Sequence, residues 1–133
     1  MKEEKIVSYG SQVYKTNELE TSPPWKIVIM SYEAIIKNLK IAKESIKNKD
    51  LFTKSKSISK AQMIIFTLIS MLDQNQDKEI VGSLSSLYFY YVKELTLANA
   101  ENSVERIDNI ISLVKALKES WEEAFLKMGL LVK

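Results

Sequence analysis

The chain has 133 residues, 46% hydrophobic and 27% charged, the balance of one folded domain rather than of a disordered or membrane protein. Having neither Cys nor His, it lacks a disulfide framework, thiol chemistry, the commonest metal ligand and the usual general base. Its 19 basic and 17 acidic residues are scattered, and Arg106 is the only arginine, a pattern that does not favour nucleic acid. The first 22 residues lack the apolar core of a signal peptide and read as an irregular or extended leader, closed by the stop TSPP. Nowhere do about 18 uncharged apolar residues run together. The expectation is a cytoplasmic protein with no membrane insertion.

With three Gly and two Pro in the whole chain, long helices should dominate residues 24–128. The first, about 24–47, starts at Pro24, whose fixed φ suits a first turn, and carries Val28, Tyr32, Ile35, Leu39, Ala42 and Ile46 on one stripe. The second, about 51–73, carries Leu51, Ile58, Ala61, Ile65, Leu68 and Leu72; its Lys54, Lys56 and Lys60 read as a solvated face. The third, about 78–99, carries Ile80, Leu84, Leu87, Tyr91 and Ala98. The fourth, about 103–128, carries Val104, Ile107, Ile111, Val114, Leu117, Trp121 and Phe125 and stops at Gly129. Asn/Asp/Ser clusters at 48–50, 74–77 and 99–103 separate the helices, and Asn102 with Glu105 resembles a capping box. Connections this short imply an all-α, antiparallel, up-down-up-down four-helix bundle occupying residues 1–133 as a single domain.

Two segments carry more apolar residues than a core needs. In the first helix Trp25, Ile29 and Ile36 lie on a second face, while Ile27, Met30, Ala34 and Ile41 lie on a third. In LYFYY, residues 87–91, four consecutive aromatics cannot all face one core, so at least one should line an outer surface. Met30, Met63 and Met71 read first as core residues, and secondly as side chains able to adapt to a partner. Something else must cover the surplus: the leader, another subunit or a partner.

Enzyme chemistry finds no support. Asp73 with Asp77 and Glu122 with Glu123 sit beside helix ends or on solvated faces, where caps and dipole partners explain them, and no Gly-rich loop or nucleophile elbow completes a site. A metal-binding bundle would need inward Glu-x-x-His pairs. No catalytic residue, metal ligand or cofactor is expected.

The order of residues resembles the flagellar secretion chaperone family FliS in three blocks. Tyr14, Asn17, Leu19, Thr21 and Pro24 precede KIVIMSYEAIIKNLKIA; LDQNQDKEIVGSLSSLYFY follows; and Leu95, Ala98, Asn99, Leu117 and Trp121 match the closing block. The likeness spans about residues 14–125. Ser22, Pro23, Ser31, Glu33, Ala34, Asp77 and Lys78 depart from the family pattern without breaking the helices.

This resemblance implies a non-enzymatic cytosolic chaperone. It would bind the disordered C-terminal segment of flagellin, prevent premature polymerisation and deliver the client to the flagellar type III export gate. Tyr14, Leu19, Trp25, Ile29, Met30, Ile36, Tyr88 and Tyr90 are the expected client contacts. Val28, Tyr32, Ile35, Leu39, Leu68, Leu72, Leu84, Leu87, Val114, Leu117 and Trp121 are the expected scaffold. The alternative is a structural or regulatory bundle that self-associates, as a homodimer, through its extra apolar faces.

Overall fold

The computed structural model describes residues 23–129. Four helices follow one another: α1 (Pro24–Lys47), α2 (Leu51–Ser70), α3 (Lys78–Glu101) and α4 (Val104–Lys127). Each packs beside its neighbour in sequence and α1 closes the ring against α4, which makes an all-α bundle.

Local chemistry sets the helix ends. Pro23 precedes α1 and offers no side-chain cap; its carbonyl accepts from the Lys26 and Ile27 amides at 3.0 and 3.3 Å. Asp50 caps α2 by accepting from the Thr53 amide at 3.1 Å, and Asp77 caps α3 by accepting from Glu79 and Ile80 at 2.9 and 3.3 Å. Between α3 and α4 the roles are split. Asn102 takes a left-handed conformation, φ 52°, and ends α3, while Ser103 caps α4 through the Arg106 amide at 3.1 Å. The cap is therefore Ser103, one residue past the Asn102 that the spacing suggested. Gly129, φ 74°, follows α4 in the left-handed region that glycine enters at no steric cost.

Val28, Tyr32, Ile35 and Leu39 of α1, Leu68 of α2, Leu72 just beyond it, Leu84 of α3, and Val114 and Trp121 of α4 are buried. Several positions differ from the expected stripes: Leu51 is exposed, and Ile46, Val104 and Ile111 are half-buried. Leu87 and Leu117 are half-buried against the core, while Tyr88 and Ile110 are fully buried. The buried row of α3 runs Leu84, Tyr88, Tyr91, Leu95, Ala98, which satisfies helical spacing as well as the row through Leu87 does. Tyr88 can stay inside because its hydroxyl meets that of Tyr32 at 2.5 Å, so the polar tip is satisfied within the core.

Lys54 also departs from expectation. It is only 5% exposed, and its ammonium donates to the Asn99 carbonyl at 2.9 Å and to Asn102 Oδ1 at 2.5 Å. The cation thus sits at the C-terminal end of α3, where the helix dipole and unpaired carbonyls favour positive charge. Lys56 and Lys60 remain exposed.

Candidate functional site

The apolar surplus of α1 is largely absorbed by the bundle. Trp25 is half-buried with its ring 6.0 Å from Phe125, which in turn lies 5.5 Å from Trp121. Ile36 packs half-buried against the core, and Ile29 is buried. Met30, 56% exposed, and Ile41 are what α1 leaves outside. Tyr14 and Leu19 lie outside the described residues.

A larger apolar surface spans α2 and α3. Phe66, 47% exposed, meets Phe89, 52% exposed, edge to face at 6.4 Å across the two helices. Met63 at 68% and Phe52 at 78% extend this row along α2. Positions 52, 56, 59, 63, 66 and 70 form one face of α2, opposite the buried row of Ile58, Ala61, Ile65 and Leu68. Beside this face the helices are also joined by polar bonds. Gln62 Nε2 donates to the Val92 carbonyl at 3.0 Å and to the Thr96 hydroxyl at 2.9 Å, and Ser55 donates to Asn99 Oδ1 at 3.1 Å.

Of the aromatic run in α3, Tyr88 and Tyr91 point inward, whereas Phe89 and Tyr90 stay outside. Tyr88, expected on the client surface, is therefore a core residue. Phe52, Phe66 and Phe89 did not figure among the expected contacts. The signal was present in α2, where the exposed row repeats at steps of four and three just as the core row does. Met63 likewise lies outside the core, while Met71 is half-buried.

The opposite side of α3 is ionic. Arg106 Nη1 donates to both carboxylate oxygens of Glu94 at 3.0 and 3.1 Å, and Arg106 Nε donates to Glu101 at 3.0 Å. The hydrogen bond to Glu101 is the main cause raising the Arg106 pKa, against a smaller opposing effect of burial. Glu105, Asp108, Asn109 and Ser112 complete this shallow basin, and Lys43 of α1 pairs with Asp108. The basin has the chemistry of an ion-pair network that holds α3 to α4. Among the described residues, no group of three or more Asp or Glu side chains is placed to hold a metal, and no helix is long and apolar enough to cross a membrane.

A helical bundle with an exposed aromatic face is the arrangement of a binding protein. Comparison with known proteins agrees. The family model described as flagellar protein FliS matches residues 7–128. The flagellar secretion chaperone FliS of Campylobacter jejuni is 34% identical over 110 residues, covering 83% of this chain and 86% of that protein. Its counterpart in Bacillus subtilis is 28% identical over 111 residues, covering 84% and 82%. That of Salmonella typhimurium is 28% identical over 114 residues, covering 85% and 84%. With the family model spanning nearly the whole bundle, the chain belongs to the FliS family of flagellar secretion chaperones, proteins that bind and escort rather than catalyse.

Proposed function

We propose that this chain binds the disordered C-terminal segment of flagellin in the cytosol, holds it from polymerising and presents it to the flagellar export apparatus. The observation that carries this reading is the exposed apolar face of α2 and α3, centred on Phe66 and Phe89. A disordered client that folds onto such a face gains apolar burial while ordering itself. The net affinity is then a surplus over an ordering cost of about 2–5 kcal/mol. Among the residues proposed as client contacts, Met30 and Tyr90 offer exposed area, Trp25 and Ile36 offer half-buried edges, and Ile29 and Tyr88 act by holding that surface in place. Tyr14 and Leu19 would add contacts from the leader.

Co-expression with a flagellin C-terminal peptide, followed by size-exclusion chromatography, tests the reading. Co-elution of the two is expected. Folded chaperone eluting free of the peptide would overturn it. The same exposed aromatics also suit pairing of two copies as a homodimer; a sedimentation-velocity series in which added flagellin peptide leaves the oligomer intact and stays unbound would favour that second reading.

A further inference from the structure

Sulfur is distributed unevenly in this molecule. The chain has five methionines and no cysteine, so thioethers are its only sulfur groups open to two-electron oxidation. Among the described residues no buried core side chain is a methionine; Val, Ile, Leu, Ala and aromatic residues fill the interior. Met71 is half-buried against the core, while Met30, Met63 and Met128 are exposed, Met63 most of all at 68%. Met1 lies outside the described residues. Met63 also stands one helical turn before Phe66, whose ring meets Phe89 edge to face, so its thioether belongs to the outer aromatic row of α2. The Thr67 hydroxyl, one turn further on, is already committed: it donates to the Met63 carbonyl at 3.0 Å.

We propose that Met63 is an oxidation site through which peroxide switches the α2/α3 face from apolar to polar while the bundle stays folded. The inference rests on the chaperone reading only for what the switch regulates, the hold on the client. In the step itself a lone pair of Met63 Sδ attacks one oxygen of hydrogen peroxide. An S–O bond forms and the O–O bond breaks; the departing hydroxide takes the proton of the transferred oxygen and leaves as water, so sulfur loses two electrons and the peroxide gains them. The product sulfoxide is a polar hydrogen-bond acceptor in place of a soft thioether. A client lying over it would bury that oxygen, and burial of a polar group without a donor opposes binding. Because no described core residue is a methionine, the same chemistry leaves the interior packing untouched. A thiol-dependent sulfoxide reductase reverses the step, the oxygen leaving as water while two thiols become a disulfide.

Treatment of the full chain with hydrogen peroxide, followed by peptide mass mapping, tests the site. Met63 should gain its oxygen first and Met71 last, following exposure, with the helical circular dichroism signal and the melting temperature unchanged. Fluorescence anisotropy with a flagellin C-terminal peptide should then show affinity about tenfold weaker, restored by methionine sulfoxide reductase. Fluorescence of an anilinonaphthalene sulfonate dye, which reads the apolar face without any client, should fall in parallel. Each variant is compared with itself before and after peroxide. Met63→Leu should lose the response and Met128→Leu should keep it, while untreated Met63→Gln, with a polar side chain of similar length, should bind as the oxidised parent does. Oxidation of Met71 ahead of Met63, a dye signal that peroxide leaves unchanged, a response that persists in Met63→Leu, or loss of the helical signal on oxidation would each overturn the inference. Untreated chain that fails to bind the flagellin peptide would refute the client, and the dye then decides the site. Peptide bound equally well before and after peroxide would spare the client and refute the switch.

Discussion

The α1/α4 side and the α2/α3 side of the bundle hold two helices together by different means. Between α1 and α4 large side chains close the seam: Trp25 lies on Phe125, and Phe125 on the fully buried Trp121. Between α2 and α3 the apolar core rows are supplemented by hydrogen bonds through Lys54, Ser55 and Gln62, and the aromatic pair Phe66 and Phe89 sits half-exposed on the outside. Aromatic residues thus stabilise the first seam and decorate the second. A protein whose α2/α3 contact is secured by buried apolar rows and hydrogen bonds can leave its outer aromatic side chains free for another occupant.

Substitutions that ask whether the two seams differ in this way should have graded effects. Trp121→Ala should destabilise most, by about 3–5 kcal/mol in chemical denaturation, because the site is fully buried and collapses poorly around the loss of an indole. A loss under about 1 kcal/mol would break the contrast. Lys54→Met should come next, at about 2 kcal/mol, since it removes charged hydrogen bonds that close the end of α3 and leaves the Asn99 carbonyl without this donor. Gln62→Leu should cost about 1 kcal/mol for its two bonds to α3, a size that urea titration resolves. Phe89→Ala should change stability by no more than about 0.5 kcal/mol while weakening client binding, because the ring is half in solvent. A large stability loss at Phe89 would mean that the outer face is structural after all. The smallest effect concerns pH. Hydrogen bonds from Thr53 hold the Asp50 carboxylate below its usual pKa, so its capping contribution is present at neutral pH and is lost as pH falls through that lowered value. Thermal melts of Asp50→Asn against the parent should therefore converge at strongly acid pH and separate above it.

Elements governed by neighbours in the chain were legible before any fold was seen. Asp50 and Asp77 sit ahead of apolar runs as capping residues do, Pro24 opens α1, and Gly129 follows α4 at the expected stop. The errors fall where two local readings are equally good. Asn102 and Ser103 are both capping residues, and the left-handed turn gave the first to α3 and the second to α4. Leu87 and Tyr88 both satisfy the spacing of a stripe through Leu84 and Tyr91. What decides between them is the Tyr32 hydroxyl on another helix, which gives Tyr88 a partner inside. The second helix ends at Ser70 rather than near residue 73. The apolar excess of α1 leaves Met30 and Ile41 exposed, and the aromatic run of α3 leaves Phe89 and Tyr90 outside as expected, while the exposed row of α2 was not anticipated.

Periodicity, caps and the absence of Cys and His were enough to specify four helices of known order, an all-α bundle and the want of ordinary catalytic groups, because each follows from residues a few positions apart. Which aromatic side chains face solvent was decided only by the packed bundle. A helix has room for apolar residues on several faces, and its own sequence does not say which face a neighbour will cover. Trp25 became part of the interior because α4 brought Phe125 to it, and Lys54 because α3 ended beside it. Phe66 and Phe89 stayed outside because the faces of α2 and α3 that carry them meet no third helix, and the two rings pack on each other.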